Sequence, residues 1–350
     1  MERLIKNGTI IPKKSSEVKK SKIGLGFEKL DRDVFDPEKA YDKVAELGVK
    51  WIRIQSGWAR CEKEKGVYDF EWLDSIVDNL TERGLIPWIC LCYGNGIYDE
   101  NAAKVFGAVG VPPIFNDEQK TAWRNYVTAL VKRYAGKVTH FEVWNEPDGM
   151  HCWKHGVSAT ELGNFTIDTA KAVKAANKNA KVIGGVICCG SVAYLNEALK
   201  TGMGSYIDYL SFHEYTSNEG SVPERVNMMK SLADKYNKNI EIIQGESGSQ
   251  SKSGGHGALR QGAWTEEKQA KQLARHMIID ILSNVYFTSY FSCMDMIEAL
   301  NGSVDDVSSY LDYGYFGVLG AEFDEKGYSI GEYYKKHSYY VLQNISSVLI

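Results

Sequence analysis

Two carboxylates stand where acid–base chemistry could be done. Phe141-Glu142-Val143-Trp144-Asn145-Glu146-Pro147 ends an apolar run in a tryptophan, an amide and a carboxylate before a proline breaks it. A hundred residues later (246 − 146), Ile242-Ile243-Gln244-Gly245-Glu246-Ser247-Gly248 ends a second apolar run in Glu246. Two carboxyl groups facing each other suit hydrolysis of an acetal: one protonates the departing oxygen, and the other attacks the carbon or activates water. A retaining reaction sets them about 5–5.5 Å apart and needs surroundings that push their pKa values apart. Trp144, Asn145 and Pro147 give Glu146 an apolar, fixed setting suited to an acid, while Tyr215 and Arg53 can hold Glu246 as an anion. Glu146 is therefore read as the acid/base and Glu246 as the nucleophile.

Elements that could bring these groups together follow from the hydrophobic pattern. Eight short apolar runs read as strands: Ile23–Phe27, Trp51–Gln55, Leu85–Cys92, Val138–Trp144, Lys181–Ile187, Asp208–His213, Ile240–Glu246 and Val285–Ser292. Their continuous apolar character fits strands buried on both faces of a parallel sheet. Helix-period segments lie between them, near 37–47, 69–83, 117–134, 158–177, 194–200, 222–236, 266–283 and 330–344. In the second, Asp69 can cap the start and Gly84 the end. Regular alternation of strand and helix predicts an α/β fold, a single-domain (β/α)8 TIM barrel over 23–350. The competing open nucleotide-binding sheet needs a glycine-rich turn after its first strand, and Gly24-Leu25-Gly26-Phe27-Glu28-Lys29 lacks the third glycine.

In a barrel the C-terminal strand ends converge on one face. Gln55, Trp58, Tyr93, Asn95, Asn145, His213, Tyr215, Gln244 and Asp295 all stand at such ends. Arg53 lies inside an apolar strand, where a guanidinium must be paired, either with an active-site carboxylate or with Glu28. Together with Trp264 and Phe291, these residues other than Gln55 form the expected substrate-binding set. Asn145 is expected to bond the 2-hydroxyl of a sugar. Trp58 and Trp264 are either stacking platforms or packed tryptophans, and the loop 247–264 is expected to act as a lid that brings Trp264 over the sugar.

Composition narrows the partners. With 41 Lys+Arg against 45 Asp+Glu the formal charge is −4, which argues against a nucleic-acid binder and suits a neutral carbohydrate. No apolar run is long enough to span a membrane, so no membrane partner is expected. Met1 to Lys22, with seven Lys/Arg and two Asp/Glu and no apolar core, reads as a solvated, partly disordered lead-in and not a secretory signal, which points to the cytoplasm. Seven cysteines, five of them (Cys90, Cys92, Cys188, Cys189, Cys293) in apolar runs, read as reduced core residues. His151, Cys152 and His155 could begin a zinc site, but no matching partner segment appears, so neither metal nor cofactor is expected.

Trp144-Asn145-Glu146-Pro147 is similar to the acid/base motif of the clan A glycoside hydrolases, whose nucleophile glutamate ends the seventh strand. Within that clan the chain resembles family 39, the β-xylosidase and α-iduronidase family. Gly66-Val67-Tyr68-Asp69-Phe70, Tyr290-Phe291-Ser292-Cys293-Met294-Asp295-Met296-Ile297-Glu298 and Lys336-His337-Ser338-Tyr339-Tyr340 carry the likeness. It implies a retaining β-glycosidase, with a tyrosine after the sixth strand bonding the nucleophile. Two departures stand out: that family usually has a tryptophan where Phe291 stands, and a histidine-glycine where this chain has Gln55-Ser56-Gly57. The resemblance leaves exo- and endo-action, a β-glucosidase-type specificity and a non-catalytic carbohydrate-binding barrel as alternatives.

Overall fold

In a computed structural model that describes residues 8–349, eight parallel strands pair in chain order and close into a barrel. They are β1 (Ile23–Gly26), β2 (Trp51–Gln55), β3 (Ile86–Leu91), β4 (His140–Val143), β5 (Lys181–Ile187), β6 (Tyr209–His213), β7 (Glu241–Ser247) and β8 (Thr288–Tyr290). Leu25 of β1 pairs with Ile52 of β2 on one side and Tyr290 of β8 on the other, which closes the ring. Every strand expected from the apolar runs is present. The TIM barrel is therefore the fold.

Ten α-helices lie among the described residues: α1 (Tyr41–Ala45), α2 (Trp58–Cys61), α3 (Glu71–Glu82), α4 (Glu100–Lys104), α5 (Asp117–Arg133), α6 (Ala159–Ala176), α7 (Val192–Lys200), α8 (Val222–Ala233), α9 (Glu266–Leu282) and α10 (His337–Val348). In α3 the residues Leu73, Ile76, Val77 and Leu80 recur three or four apart, and all are buried. Asp69 accepts the Glu71 amide at 3.0 Å just before its start, and Gly84, at φ 79°, turns the chain away after its end.

Inside the barrel, Trp88, Ile183, Tyr209, Ile243 and Phe287 pack together with Trp51 against them, filling the N-terminal end with rings and branched side chains. The larger core lies between the strands and the helical shell. With that end closed, polar chemistry is confined to the other.

Two expectations are corrected. The segment 330–344 is not one helix: Ser329–Lys335 is a strand paired antiparallel with Leu319–Phe323, and α10 begins only at His337. Gly331 sits at φ 72° and Tyr333 is fully buried, so strand packing overrides the helical spacing. Of the lead-in, residues 1–7 lie outside the described residues and 8–14 is exposed, but its end is docked. Ser15 and Val18 are buried, the Lys13 amide donates to Ser347 Oγ at 3.0 Å, and Lys50 Nζ donates to the Ser15 carbonyl at 3.0 Å. Among the described residues, no helix is long and apolar enough to cross a membrane.

Candidate active site

The strand ends that meet at the open face are irregular. Register shifts fall between Gly184 and Ile187 against β6, between Phe212 and His213 against β7, and between Gln244 and Ser247 against β8. Such bulges re-aim side chains, and here they set His213 opposite Glu246. Past β4, Trp144 and Glu146 take left-handed conformations at φ 66° and 47°. Backbone of this kind costs energy in a non-glycine residue and concentrates at functional sites. It swings Glu146 from the strand line into the mouth.

Beneath the mouth, Arg53 is fully buried and serves three carboxylates. It pairs with Glu142 from Nε (2.9 Å) and Nη2, and from Nη1 with Glu28 (3.1 Å) and Glu246, while Nη2 also donates to Asn145 Oδ1 at 2.8 Å. Both alternatives for Arg53 therefore hold. Glu246 is held at each oxygen, Oε1 by Arg53 and Oε2 by the Tyr215 hydroxyl at 2.7 Å. Crowding three carboxylates around one cation leaves one poorly served: burial and the neighbouring Glu246 push Glu28 up to about 8.

Glu146 is controlled differently from what its neighbours in sequence suggest. His213 Nδ1 lies 2.9 Å from Oε1, and His151 Nε2 lies 2.5 Å from Oε2. Burial pushes the Glu146 carboxyl up, but the two histidines outweigh it and hold it well below the usual carboxylate range. Burial likewise lowers His151, yet its contacts with Cys152 and Glu146 raise it to about 11, and Glu246 with Glu146 raises His213. The expected apolar setting for a protonated Glu146 is thus corrected. Two histidine nitrogens, each one hydrogen bond away, are the groups placed to exchange a proton with it.

One oxygen of Glu146 and one of Glu246 lie within 4.8 Å of each other, with His213 between them. Above them opens a cavity of about 550 Å³. Tyr93, Asn145, Tyr215 and Phe291 of the expected binding set line it together with both glutamates, while Arg53 and His213 act from behind the wall.

Five expected contacts are not at the cavity. Trp58 is completely buried, stacks on Tyr98 at 5.3 Å and donates to Glu62, so it is a packing residue. Asn95 braces its own loop, donating to the Glu62 carbonyl and accepting the Ile97 amide. Gln244 is buried beside His276 behind β7. Asp295 is buried in an ion pair with Lys336 at 2.6 Å. Trp264 folds back to donate to the Leu259 carbonyl at 2.8 Å, and its loop lines the cavity instead with His256, Gly257, Ala258 and Arg260. Gln250 fixes that loop by donating to the carbonyls of His256 and Ala258.

Other cavity residues went unread in the sequence. Glu28, Lys29 and Arg32 follow β1 and form one wall, and Glu298, Asp312 and Phe316 form another. Lys29 Nζ lies 3.4 Å from Glu298 and 5.1 Å from the centre of the Phe291 ring. A polar pair directly after an apolar strand, as in Phe27-Glu28-Lys29, is the same signal that marks the other strand ends. His151 Nε2 lies 2.5 Å from Glu146, one atom each of Glu146, His151 and Cys152 lie within 4.8 Å of one another, and His155 lies apart, 2.8 Å from Glu161.

The model of Glycosyl hydrolases family 39 matches residues 37–246, which is 210 of 350 residues and includes both glutamates. A β-xylosidase from Geobacillus stearothermophilus is 29% identical over 165 residues, a stretch covering 44% of this chain and 32% of that relative. The chain therefore matches about a third of that protein's length. Two solved structures share the fold. A family 39 glycoside hydrolase from Bacteroides cellulosilyticus WH2 superposes with a TM-score of 0.68 at 19% identity, over 94% of this chain and 64% of that one. A family 39 β-xylosidase from Caulobacter crescentus gives 0.65 at 19% identity, over 92% and 70%.

Proposed function

Because this chain belongs to glycosyl hydrolases family 39, we propose that it is a retaining β-glycosidase of β-xylosidase type, cleaving plant-type oligo- or polysaccharides from a chain end. The carrying observation is that one oxygen of Glu146 and one of Glu246 lie within 4.8 Å of each other, a closeness that suits direct attack by a carboxylate as in a retaining enzyme, whose carboxyl groups stand about 5–5.5 Å apart.

Glu246 attacks the anomeric carbon, with Arg53 and Tyr215 aligning its two oxygens. As the bond to the leaving oxygen breaks, Glu146 delivers a proton to it. That proton comes from the histidine pair: it moves from His151 Nε2 to Glu146 Oε2 across 2.5 Å and then to the glycosidic oxygen. Water later enters, gives a proton back to Glu146 and attacks the glycosyl carbon, releasing Glu246. Asn145, fixed by Arg53 at the cavity wall, is assigned the bond to the sugar 2-hydroxyl. Five buried free cysteines support a cytoplasmic site of action.

Proton NMR of the first sugar released from an aryl β-xyloside tests the reading. Initial β-anomer is expected; initial α-anomer means inversion and overturns it.

A further inference from the structure

Five of the seven cysteines are buried, and the two that are not, Cys188 and Cys189, are neighbours just past β5. The expectation that both lie in a buried strand is corrected: β5 ends at Ile187, Cys188 lines the catalytic cavity and Cys189 is exposed. Their Sγ atoms are 3.6 Å apart. Both backbone amides donate to one carboxylate, Cys188 to Asp148 Oδ1 and Cys189 to Asp148 Oδ2, each at 2.8 Å. Asp148 stands two residues after Glu146, so this single side chain ties the thiol pair to the turn that carries the acid/base.

We propose that Cys188 and Cys189 are an oxidisable thiol pair that controls the position of Glu146: a peroxide closes them to a disulfide, and closure lowers turnover. The O–O bond of hydrogen peroxide breaks, the S–S bond forms, and the two thiol hydrogens leave on the oxygens as two molecules of water. A dithiol reductant reverses the step. A disulfide between adjacent residues closes a small ring through the peptide that joins them, and that peptide carries the Cys189 amide. Turning it breaks the bond to Asp148. The turn at 146–148, with Glu146 at φ 47°, then loses an anchor that holds an unfavourable backbone in place. Burial raises both thiols, so thiolate is scarce at neutral pH and the pair rests reduced until oxidant is in excess. Strained, accessible disulfides of this kind are the labile ones.

The effect on turnover rests on Glu146 being the acid/base, so the test separates the two. The full chain is treated with hydrogen peroxide and followed by peptide mass, by hydrogen exchange at 146–149, and by activity on two aryl β-xylosides with good and poor leaving groups. Expected are loss of two hydrogens from the peptide holding Cys188 and Cys189, faster exchange at 146–149, and a fall of roughly tenfold or more on the poor leaving group with the good one spared. Dithiothreitol restores the starting state, and Cys189→Ser keeps basal activity and resists oxidant. Absence of the disulfide, a disulfide with unchanged exchange, or inactivation of Cys189→Ser equal to that of the parent overturns the proposal. If the untreated protein cleaves neither xyloside while the disulfide and exchange responses appear, the thiol pair stands and the glycosidase reading fails.

Discussion

Two buried histidines stand at opposite ends of the barrel and carry opposite charge tendencies. His140, the first residue of β4, lies among rings at the closed end, 5.0 Å from Trp51 and 5.3 Å from Tyr209. Burial pushes it down to about 4, and the nearby Asp208 only partly opposes this. His213, the last residue of β6, is equally hidden, but Glu146 and Glu246 reverse the effect of burial and raise it. Depth alone does not set a buried histidine's state; the nearest carboxylates do. The closed end has aromatic packing to spare and the open end has charge to manage, so one scaffold separates stability from chemistry.

The largest effect comes from removing the charge that defines the open end. Glu246→Ala is expected to lower kcat by roughly 10⁴–10⁶, the usual cost of deleting a nucleophile. Near-parent turnover on every glycoside it cleaves would break the assignment.

Next is the cation beneath it. Arg53→Ala strands Glu142, Glu28 and Glu246 around an empty space, and urea denaturation is expected to show a loss of about 3–5 kcal/mol. A loss under about 1 kcal/mol would mean that the carboxylates are solvated and that the buried network is not the platform described.

The closed end gives a pH test with a definite sign. His140 has a lowered folded pKa, so its contribution is full above pH 6.5 and is lost as pH falls from 6.5 towards about 4, because the unfolded chain takes up the proton first. His151 runs the other way: raised to about 11, it stabilises fully below 6.5 and its contribution is lost as pH climbs through its folded value. Relative to the parent, His140→Phe is expected to remove an acid-side decline on the order of 3 kcal/mol, read by denaturation at pH 7 and pH 4. His151→Gln is expected to flatten the alkaline side. Parallel curves for parent and variants would show that neither environment shifts its histidine.

The smallest effect is expected at Trp264. With its indole bonded to Leu259 and turned from the cavity, Trp264→Ala should change kcat/KM by less than about threefold, under ~0.7 kcal/mol. A loss of a hundredfold would return it to the sugar.

How much of this was legible in the sequence follows from which forces are local. Strand ends are readable because an apolar run stops at a polar residue, and Glu146, Glu246, Tyr215, Asn145 and Tyr93, picked out in this way, line the same cavity at the open face. The same rule sent Trp58, Asn95, Gln244 and Asp295 there too, since periodicity cannot tell a residue facing the mouth from one braced behind it. Gln244 and Asp295 are consumed by partners distant in sequence, His276 and Lys336. Glu146 shows the sharper limit. Its sequence neighbours Asn145 and Pro147 carry no charge, yet its ionisation is set by His213, sixty-seven residues away, and by a loop histidine five residues on. Ser329–Lys335 went astray for the converse reason, as long-range pairing overrode a local helical spacing.

In a double displacement Glu246 becomes covalently bonded to the sugar. Incubation with an activated 2-deoxy-2-fluoro-β-xyloside, which slows breakdown of the intermediate by removing the 2-hydroxyl contact, followed by peptide mass mapping, tests it most directly. The prediction is one fluoroxylosyl group on the peptide carrying Glu246 and none on Glu246→Ala. Label on Glu146, or turnover of the activated sugar with no covalent adduct, would contradict it.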